Sequence, residues 1–266
     1  MTFVRVADTG VRPARLNVAL TAALVELHGQ GRIPDTLRFH RYPPSVLIGR
    51  HQALADAVRL DHCAREGLEI ARRVSGGGAV YMTPGILAWD IVADRRRFGA
   101  TVEIGGAMLC RAIAGGLMQL GVPARCHRRN EIALAGRKLC GAGGYVDGVS
   151  ALYQGTVLVE VDTAAIDAAL APAVETSSHA ARLITLADYL GHAPAMDAVM
   201  TALTAGLARA RPDIAWRAGA LGADELALAD ALHAAEIGTE DFVAGEDAAE
   251  MPPATALRSE LHGSAP

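Results

Sequence analysis

The stretch that most constrains this chain is residues 72–82, with the sequence RRVSGGGAVYM. It begins at the end of a predicted strand, residues 68–73, and places a serine and three glycines before a second apolar run. Consecutive glycines lose much conformational freedom on folding, which indicates a backbone that approaches another group closely. Exposed N–H groups in such a turn form a concave anion site, and the two arginines add positive charge. The stretch predicts a phosphate or carboxylate site; a glycine-rich hairpin with solvated arginines is the simpler alternative.

Length and composition indicate a folded globular protein. The chain has 266 residues, 51% hydrophobic and 20% charged, which is enough to bury a sizeable core. Its net charge of −4 gives no reason to expect nucleic acid or an acidic membrane surface as a partner. We expect a cytoplasmic protein, because the sequence has no long apolar run and no signal-peptide pattern. The four cysteines lack metal-ligand spacing with the nine histidines, which favours free thiols.

Helical and strand patterns mix along the chain without regular βαβ alternation. Apolar periodicity predicts helices over residues 14–28, 54–66, 101–120, 162–170, 195–210 and 223–235. Short apolar or alternating runs predict strands over residues 37–40, 46–49, 68–73, 79–82, 86–92, 124–127, 131–135, 137–140, 152–154, 156–161 and 213–217. The glycine-rich residues 141–148 are expected to form a mobile loop. We therefore expect an α+β fold with a mixed, mainly antiparallel sheet flanked by helices.

Lys138 is the one lysine among 25 lysine and arginine residues. A chain that otherwise uses arginine suggests that this position needs a compact point charge, which a planar guanidinium does not supply. In the predicted strand, Lys138 projects to the face opposite Arg137 and Leu139. Beside Arg73, its ammonium could bring two anionic groups together, as the activation of a carboxylate by ATP requires. A surface lysine at a strand end is the simpler alternative.

The common nucleotide-binding motifs are absent from the sequence. It contains no GxxxxGK[ST] phosphate loop and no GxGxxG between a strand and a helix. This argues against the common nucleotide and dinucleotide folds.

Several motifs together resemble those of the lipoate–protein ligase family, whose catalytic domain has the biotin/lipoyl ligase-like fold. Residues 72–81 match the family loop RRxSGGGAV[YF]HD, and Arg129-Asn130-Glu131 resembles the family signature RND. Residues 136–141 match the signature GxK[IL]SGxA except at Cys140, and Lys138 falls on the catalytic lysine. Residues 44–52 resemble the stretch PxxxxGRxQ, and Asn17 matches the asparagine of the first helix. The resemblance covers residues 14–240.

The resemblance implies ATP- and Mg²⁺-dependent activation of lipoate or octanoate to an acyl-adenylate. The acyl group is then transferred to a lysine of a lipoyl-domain or other lipoate-carrier protein. Lys138 would be catalytic, touching both the acyl carboxylate and the α-phosphate, and Glu131 would lie near the magnesium ion. The positions that bind ATP or the adenylate fall on Arg73, Gly78, Ala79, Val80, Tyr81, Asn130, Glu131 and Lys138. The positions that bind lipoate fall on Arg72, Ser75, Gly76, Gly77, Lys138 and Gly141.

The chain departs from the family pattern at several positions near these motifs. Met82 and Thr83 replace the histidine and aspartate after the glycine-rich loop. Gln154 replaces the usual histidine before a Gly-Thr pair, and Cys140 replaces a serine. Neither Met82 nor Thr83 can titrate, so these two positions supply no acid–base or charge function.

Two other functions remain open at this point. An octanoyl or lipoyl transferase works without ATP and uses a cysteine nucleophile, for which Cys140 is the candidate. Strand alternation would place Cys140 on the same face as Lys138, although a small residue in a serine's place is the simpler interpretation. A degenerate lipoate-binding homologue is the third reading; the retained Lys138 argues against it, because binding alone could tolerate arginine.

The larger members of the family carry a small C-terminal accessory domain. We expect residues 1–245 to form the catalytic domain, with the accessory domain shortened or absent. Residues 246–266 are expected to form an acidic, flexible C-terminal tail. A separate accessory subunit is a candidate partner, because a catalytic chain without that domain could need one for adenylation. We expect neither nucleic acid nor a membrane as a partner.

Overall fold

The computed structural model of the chain describes residues 3–128, 130–171 and 178–245. The strands within these ranges are β1 (Phe3–Val11), β2 (Thr36–Arg41), β3 (Ser45–Ile48), β4 (Glu69–Arg72), β5 (Val80–Met82), β6 (Ile86–Asp94), β7 (Arg125–Arg128), β8 (Glu131–Leu134), β9 (Arg137–Asp147), β10 (Ser150–Leu158) and β11 (Ala215–Ala218). The helices are α1 (Ala14–Gly29), α2 (Leu54–Ala57), α3 (Leu60–Arg65), α4 (Val102–Leu117), α5 (Thr163–Ala169), α6 (His179–Arg182), α7 (Leu186–Leu190), α8 (Met196–Ala210), α9 (Ala223–Leu232) and α10 (Glu240–Ala244). A 3-10 turn (Met118–Leu120) follows α4, and a π-helical turn (His233–Ile237) follows α9.

The main sheet contains eight strands in the order β11-β1-β2-β6-β10-β9-β8-β7. Strand β1 pairs in parallel with β11 and with β2. Every other neighbouring pair, from β2 to β7, is antiparallel. The expected mixed, mainly antiparallel sheet of an α+β fold is confirmed.

Helices cover both faces of this sheet. Helix α4 lies on one face, where a Cβ added at Gly105 would be 2.2 Å from the Tyr153 hydroxyl. Helix α1 lies on the other face, where the Thr21 hydroxyl donates to Asp90 at 2.8 Å. Asp90 pairs with Gln154, the neighbour of Tyr153, so the two helices contact opposite faces.

A second sheet of three strands, in the order β4-β3-β5, carries the glycine-rich stretch. Strand β3 is central and pairs in parallel with β4 and antiparallel with β5. The loop of residues 73–79 therefore connects the two outer strands of this sheet. Apolar side chains from the sheet pack with α3 and α5 in a small core that includes Val46, Ile48, Cys63 and Ile166. This packing fixes both ends of the loop.

Three parts of the chain differ from the sequence expectations. Residues 141–148 do not form a mobile loop: β9 continues to Asp147, because residues 141–147 all pair with β10. Residues 54–66 form two short helices instead of one, because Val58 has an extended backbone and bridges to Leu170. Strand β1 was not predicted, and its two partners, β2 and β11, are distant from it in sequence.

The described C-terminal helices pack against elements from the first part of the chain. Helix α9 packs against α1 through a cluster of Leu20, Ala23 and Ala229, and α10 lies against β4. The expected tail, residues 246–266, lies outside the described residues. A search of the described helices finds none with the length and hydropathy of a membrane span.

Candidate active site

The glycine-rich loop folds around the side chain of Arg73. Its guanidinium donates to the carbonyl oxygens of Leu47 at 3.0 Å, Gly76 at 3.2 Å and Gly78 at 2.8 Å. Burial lowers the pKa of Arg73 to about 10, so the guanidinium is charged at neutral pH. Arg73 therefore fixes the shape of the loop by holding its carbonyl groups.

The N–H groups of the same loop are left for another acceptor. Gly77 has φ +100°, a left-handed conformation that favours glycine. Within the described ranges of the chain, the N–H groups of Gly76, Gly77 and Gly78 have no hydrogen-bond acceptor. A turn with consecutive unpartnered N–H groups is suited to bind an anion.

Gly49, which was not among the predicted site residues, lies against the backbone of this loop. A Cβ at Gly49 would be only 1.9 Å from the carbonyl oxygen of Gly77. On either side of this contact, Arg50 N–H donates to Ser75 O and Arg73 N–H donates to Ile48 O, both at 2.9 Å. Gly49 lies in the stretch that resembles PxxxxGRxQ, and this was the signal that could have identified it.

Arg72 lies outside the cavity, and the expectation that it binds lipoate is not met. Its side chain is fully buried. The guanidinium donates to the carbonyl oxygens of Gly49, Arg50, Gln52, Phe242, Val243 and Ala244. These bonds use all three guanidinium nitrogens. Arg72 therefore joins the Gly49 turn to α10 and supports the loop without lining the site.

Lys138 lies on β9 opposite the glycine-rich loop. Its ammonium is partly exposed and lies 3.8 Å from the Glu131 carboxylate. The side chain bends over Gly141, where an added Cβ would be 2.9 Å from Cε and 3.0 Å from Nζ. The Lys138 carbonyl accepts from Ile184 N–H at 3.0 Å, which fixes the backbone at this point. Gly141 thus leaves the space that the lysine side chain occupies.

Cys140 does not share a face with Lys138, contrary to the expectation from strand alternation. The register of β9 against β8 shifts here, since Cys140 pairs with Ile132 whereas Lys138 pairs with Ala133. The extra residue, Leu139, makes a bulge, so alternation fails between Lys138 and Cys140. Cys140 is buried and burial raises the pKa of its thiol well above the usual range. A neutral, buried thiol is a poor nucleophile.

A cavity of about 630 Å³ joins the two parts of the site. Most of the predicted residues border it: Arg73, Ser75, Gly76, Gly77, Gly78, Ala79, Val80, Tyr81, Asn130, Glu131, Lys138, Cys140 and Gly141. Of the predicted site residues, Arg72 is the one that the structure places elsewhere. Arg129, from the second signature, lies outside the described residues. The volume lies in the usual range for small-molecule sites.

Sequence reasoning missed a buried polar cluster at the cavity wall. Asp90 Oδ2 accepts from Arg38 at 2.8 Å and from the Thr21 hydroxyl at 2.8 Å, and lies 3.3 Å from His40 Nε2. Burial lowers the pKa of His40, and the neighbouring Arg38 lowers it further. His40, Asp90 and Gln154 border the cavity. The signal that could have identified this cluster is the pair Arg38 and His40, two polar residues in the otherwise apolar predicted strand of residues 37–40.

Met82 stands where the family pattern has a histidine. Met82 is buried and packs in the main core, while it also borders the cavity. The wall at this point is therefore apolar. The described residues contain no group of three or more histidine, cysteine or carboxylate side chains that could hold a metal ion.

The chain is similar to curated octanoyltransferases and lipoate-protein ligases. The octanoyltransferase LipM of Symbiobacterium thermophilum is 30% identical over 236 residues, which cover 77% of this chain and 85% of that protein. The lipoate-protein ligase A subunit 1 of Thermoplasma acidophilum is 30% identical over 166 residues, which cover 59% of this chain and 62% of that protein.

The fold is similar to that of solved lipoate-protein ligase structures. The crystal structure of lipoate-protein ligase A bound with ATP superposes with a TM-score of 0.81 at 25% identity, covering 92% of this chain and 98% of that chain. The bipartite lipoate protein ligase of T. acidophilum, described with its E2 lipoyl domain, superposes with a TM-score of 0.80 at 25% identity, covering 92% and 97%. The expected biotin/lipoyl ligase-like fold is confirmed.

Residues 13–208, which include the loop and Lys138, match the family model of the lipoyl protein ligase A/B catalytic domain. The chain therefore belongs to the lipoyl protein ligase A/B catalytic domain family.

Proposed function

We propose that this protein activates lipoate or octanoate with ATP and transfers the acyl group to a lysine of a lipoyl-domain carrier protein. The observation that carries this proposal is the cavity itself, in which the Lys138 ammonium lies opposite a loop of unpartnered N–H groups. In the first step, a carboxylate oxygen attacks the α-phosphorus and pyrophosphate leaves. In the second step, the ε-amine of the carrier lysine attacks the acyl carbonyl carbon, loses a proton, and releases AMP.

Lys138 would act by holding two anions close together. Two unit negative charges 4 Å apart repel by about 4 kcal/mol at the effective dielectric constant near a protein surface. An ammonium between the acyl carboxylate and the α-phosphate offsets this repulsion and orients both groups. The N–H groups of Gly76, Gly77 and Gly78 would bind the phosphate, which assigns Gly76 and Gly77 to the nucleotide instead of to lipoate, while Arg73 holds the loop in shape.

The magnesium ion would enter with the triphosphate. Glu131 is the carboxylate near Lys138 at this end of the cavity, and the described residues provide no full set of metal ligands. Phosphate oxygens suit Mg²⁺, which usually takes only one or two protein carboxylates. When bound, the ion supplies positive charge at the leaving pyrophosphate. Glu131 would orient it, and Asn130 lies beside Glu131 at the cavity rim.

A cysteine-dependent transferase is the competing function, because the relatives include octanoyltransferases. That chemistry needs a thiolate that reaches the acyl group. Among the cysteines, Cys140 alone borders the described cavity, and its thiol is buried and neutral. Cys63 and Cys110 are also buried. The geometry therefore supports the ATP-dependent reaction.

We propose two protein partners for the reaction. One solved neighbour is a bipartite ligase described together with an E2 lipoyl domain, and one relative is named as a first subunit. By this likeness, a lipoyl domain would accept the acyl group, and a separate accessory subunit would assist the catalytic unit of residues 1–245. The reaction would take place in the cytoplasm, where ATP is available.

Mass spectrometry of a lipoyl domain tests the proposal. The domain is incubated with the purified chain, lipoate and Mg²⁺, with and without ATP, and with octanoyl-acyl carrier protein as an alternative donor. We expect one lysine to be acylated only when ATP is present, and Cys140→Ala to retain this activity. ATP-independent transfer from the carrier protein, lost in Cys140→Ala, would overturn the proposal. Tight lipoate binding without acylation, even with the accessory subunit added, would favour a degenerate lipoate-binding homologue.

A further inference from the structure

The floor of the cavity is one face of the main sheet, crossed by two rows of paired residues. The first row contains, from β9 through β10 and β6 to β2, Gly141, Thr156, Ala88 and His40. The second row contains, in the same strand order, Gly143, Gln154, Asp90 and Arg38. Lys138 lies over the β9 end of the first row. The residues nearest to it are small, which leaves room for a chain that lies along the floor.

The end of the floor remote from Lys138 is polar. Asp90 Oδ1, His40 Nδ1 and Gln154 Oε1 are buried and have no hydrogen-bond partner among the described residues. His40 and Asp90 are each only 1% exposed, yet all three residues border the cavity. Buried polar atoms are nearly always paired, so unpaired ones at a cavity wall indicate a ligand that supplies their partners.

Two of these three atoms call for a hydrogen-bond donor. Asp90 Oδ1 and Gln154 Oε1 are acceptors, and their residues pair directly across β6 and β10, so their Cβ atoms lie about 5 Å apart. Burial alone would raise the pKa of Asp90, but His40 and Arg38 beside it lower the pKa below its usual range, so the carboxylate is ionised. Arg38 already balances its charge through the other oxygen. A neutral donor therefore suits the site better than a cation.

The length of the floor matches an eight-carbon acyl chain. Neighbouring strands lie 4.7–4.9 Å apart, so the distance from β9 to β6 is roughly 10 Å. An extended eight-carbon chain spans roughly 9 Å, at about 1.3 Å per bond along its axis. With its carboxylate at Lys138, such a chain would end beside Asp90 and Gln154.

We propose that the distal end of the cavity selects eight-carbon acyl acids that carry a neutral hydrogen-bond donor, a hydroxyl or a thiol, near the last carbon, in preference to octanoate. The inference rests on the proposed function in placing the acyl carboxylate at Lys138. It adds that Asp90 and Gln154 determine which acyl group is accepted. The apolar part of the chain lies along the glycine and alanine residues of the floor.

Isothermal titration calorimetry of the full chain without ATP tests this selection. The ligands are octanoate, 8-hydroxyoctanoate, 8-methoxyoctanoate, lipoate and dihydrolipoate. We expect 8-hydroxyoctanoate to bind at least tenfold more tightly than octanoate and than the methoxy acid, whose oxygen cannot donate. If dihydrolipoate binds more tightly than lipoate, a thiol is a second accepted donor. Equal affinities for all five acids would overturn the proposal.

Variants locate the selection within the cavity. Gln154→Met removes one acceptor without touching the Arg38–Asp90 pair, and we expect the preference for the hydroxy acid to fall below threefold. Gln30→Met makes the same chemical change on an exposed residue at the end of α1 and should keep the tenfold preference. A preference that stays at tenfold in Gln154→Met would overturn the assignment. Because binding is measured without ATP, a failure of acylation with the preference intact would contradict only the proposed ligase reaction.

Discussion

An arginine at position 138 would keep the positive charge but change its shape. The lysine side chain bends over Gly141, with its Nζ 3.0 Å from the place of a Cβ there. A guanidinium is planar and larger, and presents its donors in a rigid fork. An ammonium is a compact charge that can contact two anionic oxygens from different groups. The chain uses arginine at its other cationic positions, and we therefore propose that the site requires the ammonium group itself.

We predict that Lys138→Arg lowers the rate of acyl-adenylate formation at least about 100-fold, which is the usual effect of removing one preorganised group that stabilises transition-state charge. The rate is measured as pyrophosphate release from ATP and lipoate. Arg137→Lys is the matched control, because Arg137 is the exposed neighbour and should keep the normal rate. Equal rates for Lys138→Arg and the native chain would contradict the role given to the lysine.

At this scale, the contiguous motifs could be predicted and the side-chain directions could not. The glycine-rich loop and Lys138 were identified because each lies within a short, unbroken pattern. Cys140 was misplaced because one extra residue in β9 cancels the alternation on which the inference depended. Arg72 was misplaced because its partners Val243 and Ala244 come from the far end of the chain.

Arg72 connects three elements that are distant in sequence. It lies at the end of β4, and its guanidinium donates to carbonyl groups in the turn after β3 and at the end of α10. Charged hydrogen bonds of this kind are stronger than neutral ones, and their loss leaves buried carbonyl groups unpaired. The C-terminal helix and the glycine-rich loop are thus held by one side chain.

We predict that Arg72→Leu lowers the free energy of unfolding by about 3 kcal/mol or more. Urea denaturation followed by circular dichroism measures the change. Arg96→Leu is the control, because Arg96 is an exposed residue whose side-chain partner is its near neighbour Asp94, and it should show no measurable loss. Equal stabilities of the two variants would show that the Arg72 bonds do not hold α10.

Gly49 controls how closely the loop approaches β3. A Cβ there would be 1.9 Å from the carbonyl oxygen of Gly77, so alanine must displace the loop. We predict that Gly49→Ala raises the KM for ATP at least tenfold and destabilises the fold by about 1–3 kcal/mol. Gly106→Ala, within α4, has open space around its Cβ, so it should leave the KM unchanged and should not destabilise the fold. An unchanged KM in Gly49→Ala would show that this contact does not set the phosphate site.

Between elements, local patterns predicted most strands and helices but not their pairing. Residues 141–148 were expected to form a loop because glycine is unfavourable in strands. Their pairing with β10 outweighs this preference. The second sheet was not anticipated, because its central strand β3 pairs with β4 and β5 from later in the chain. Such pairings are tertiary properties that no local window contains.

For the whole molecule, the sequence predicted the fold class and the two motifs of the site, but not the cavity between them. The cavity has walls from both sheets, and its polar end depends on α1, because Thr21 donates to Asp90. Arg38, His40 and Asp90 come from two strands of the main sheet and form one buried cluster with that helix. This cluster also couples the stability of the whole fold to pH.

The pH dependence follows from the environment of His40. Its pKa is lowered from 6.5 in the folded protein, first by burial and second by Arg38. The unfolded chain therefore binds this proton more strongly, and lowering the pH below 6.5 favours unfolding. We predict that the free energy of unfolding falls between pH 6.5 and 5 by up to about 1.4 kcal/mol per pH unit. Asp90 adds to this pH dependence only near and below its ordinary pKa of 3.8. Urea denaturation at each pH measures this slope, which His40→Gln should flatten and His192→Gln, at an exposed residue, should preserve. A slope that persists in His40→Gln would place the titrating group elsewhere in the molecule.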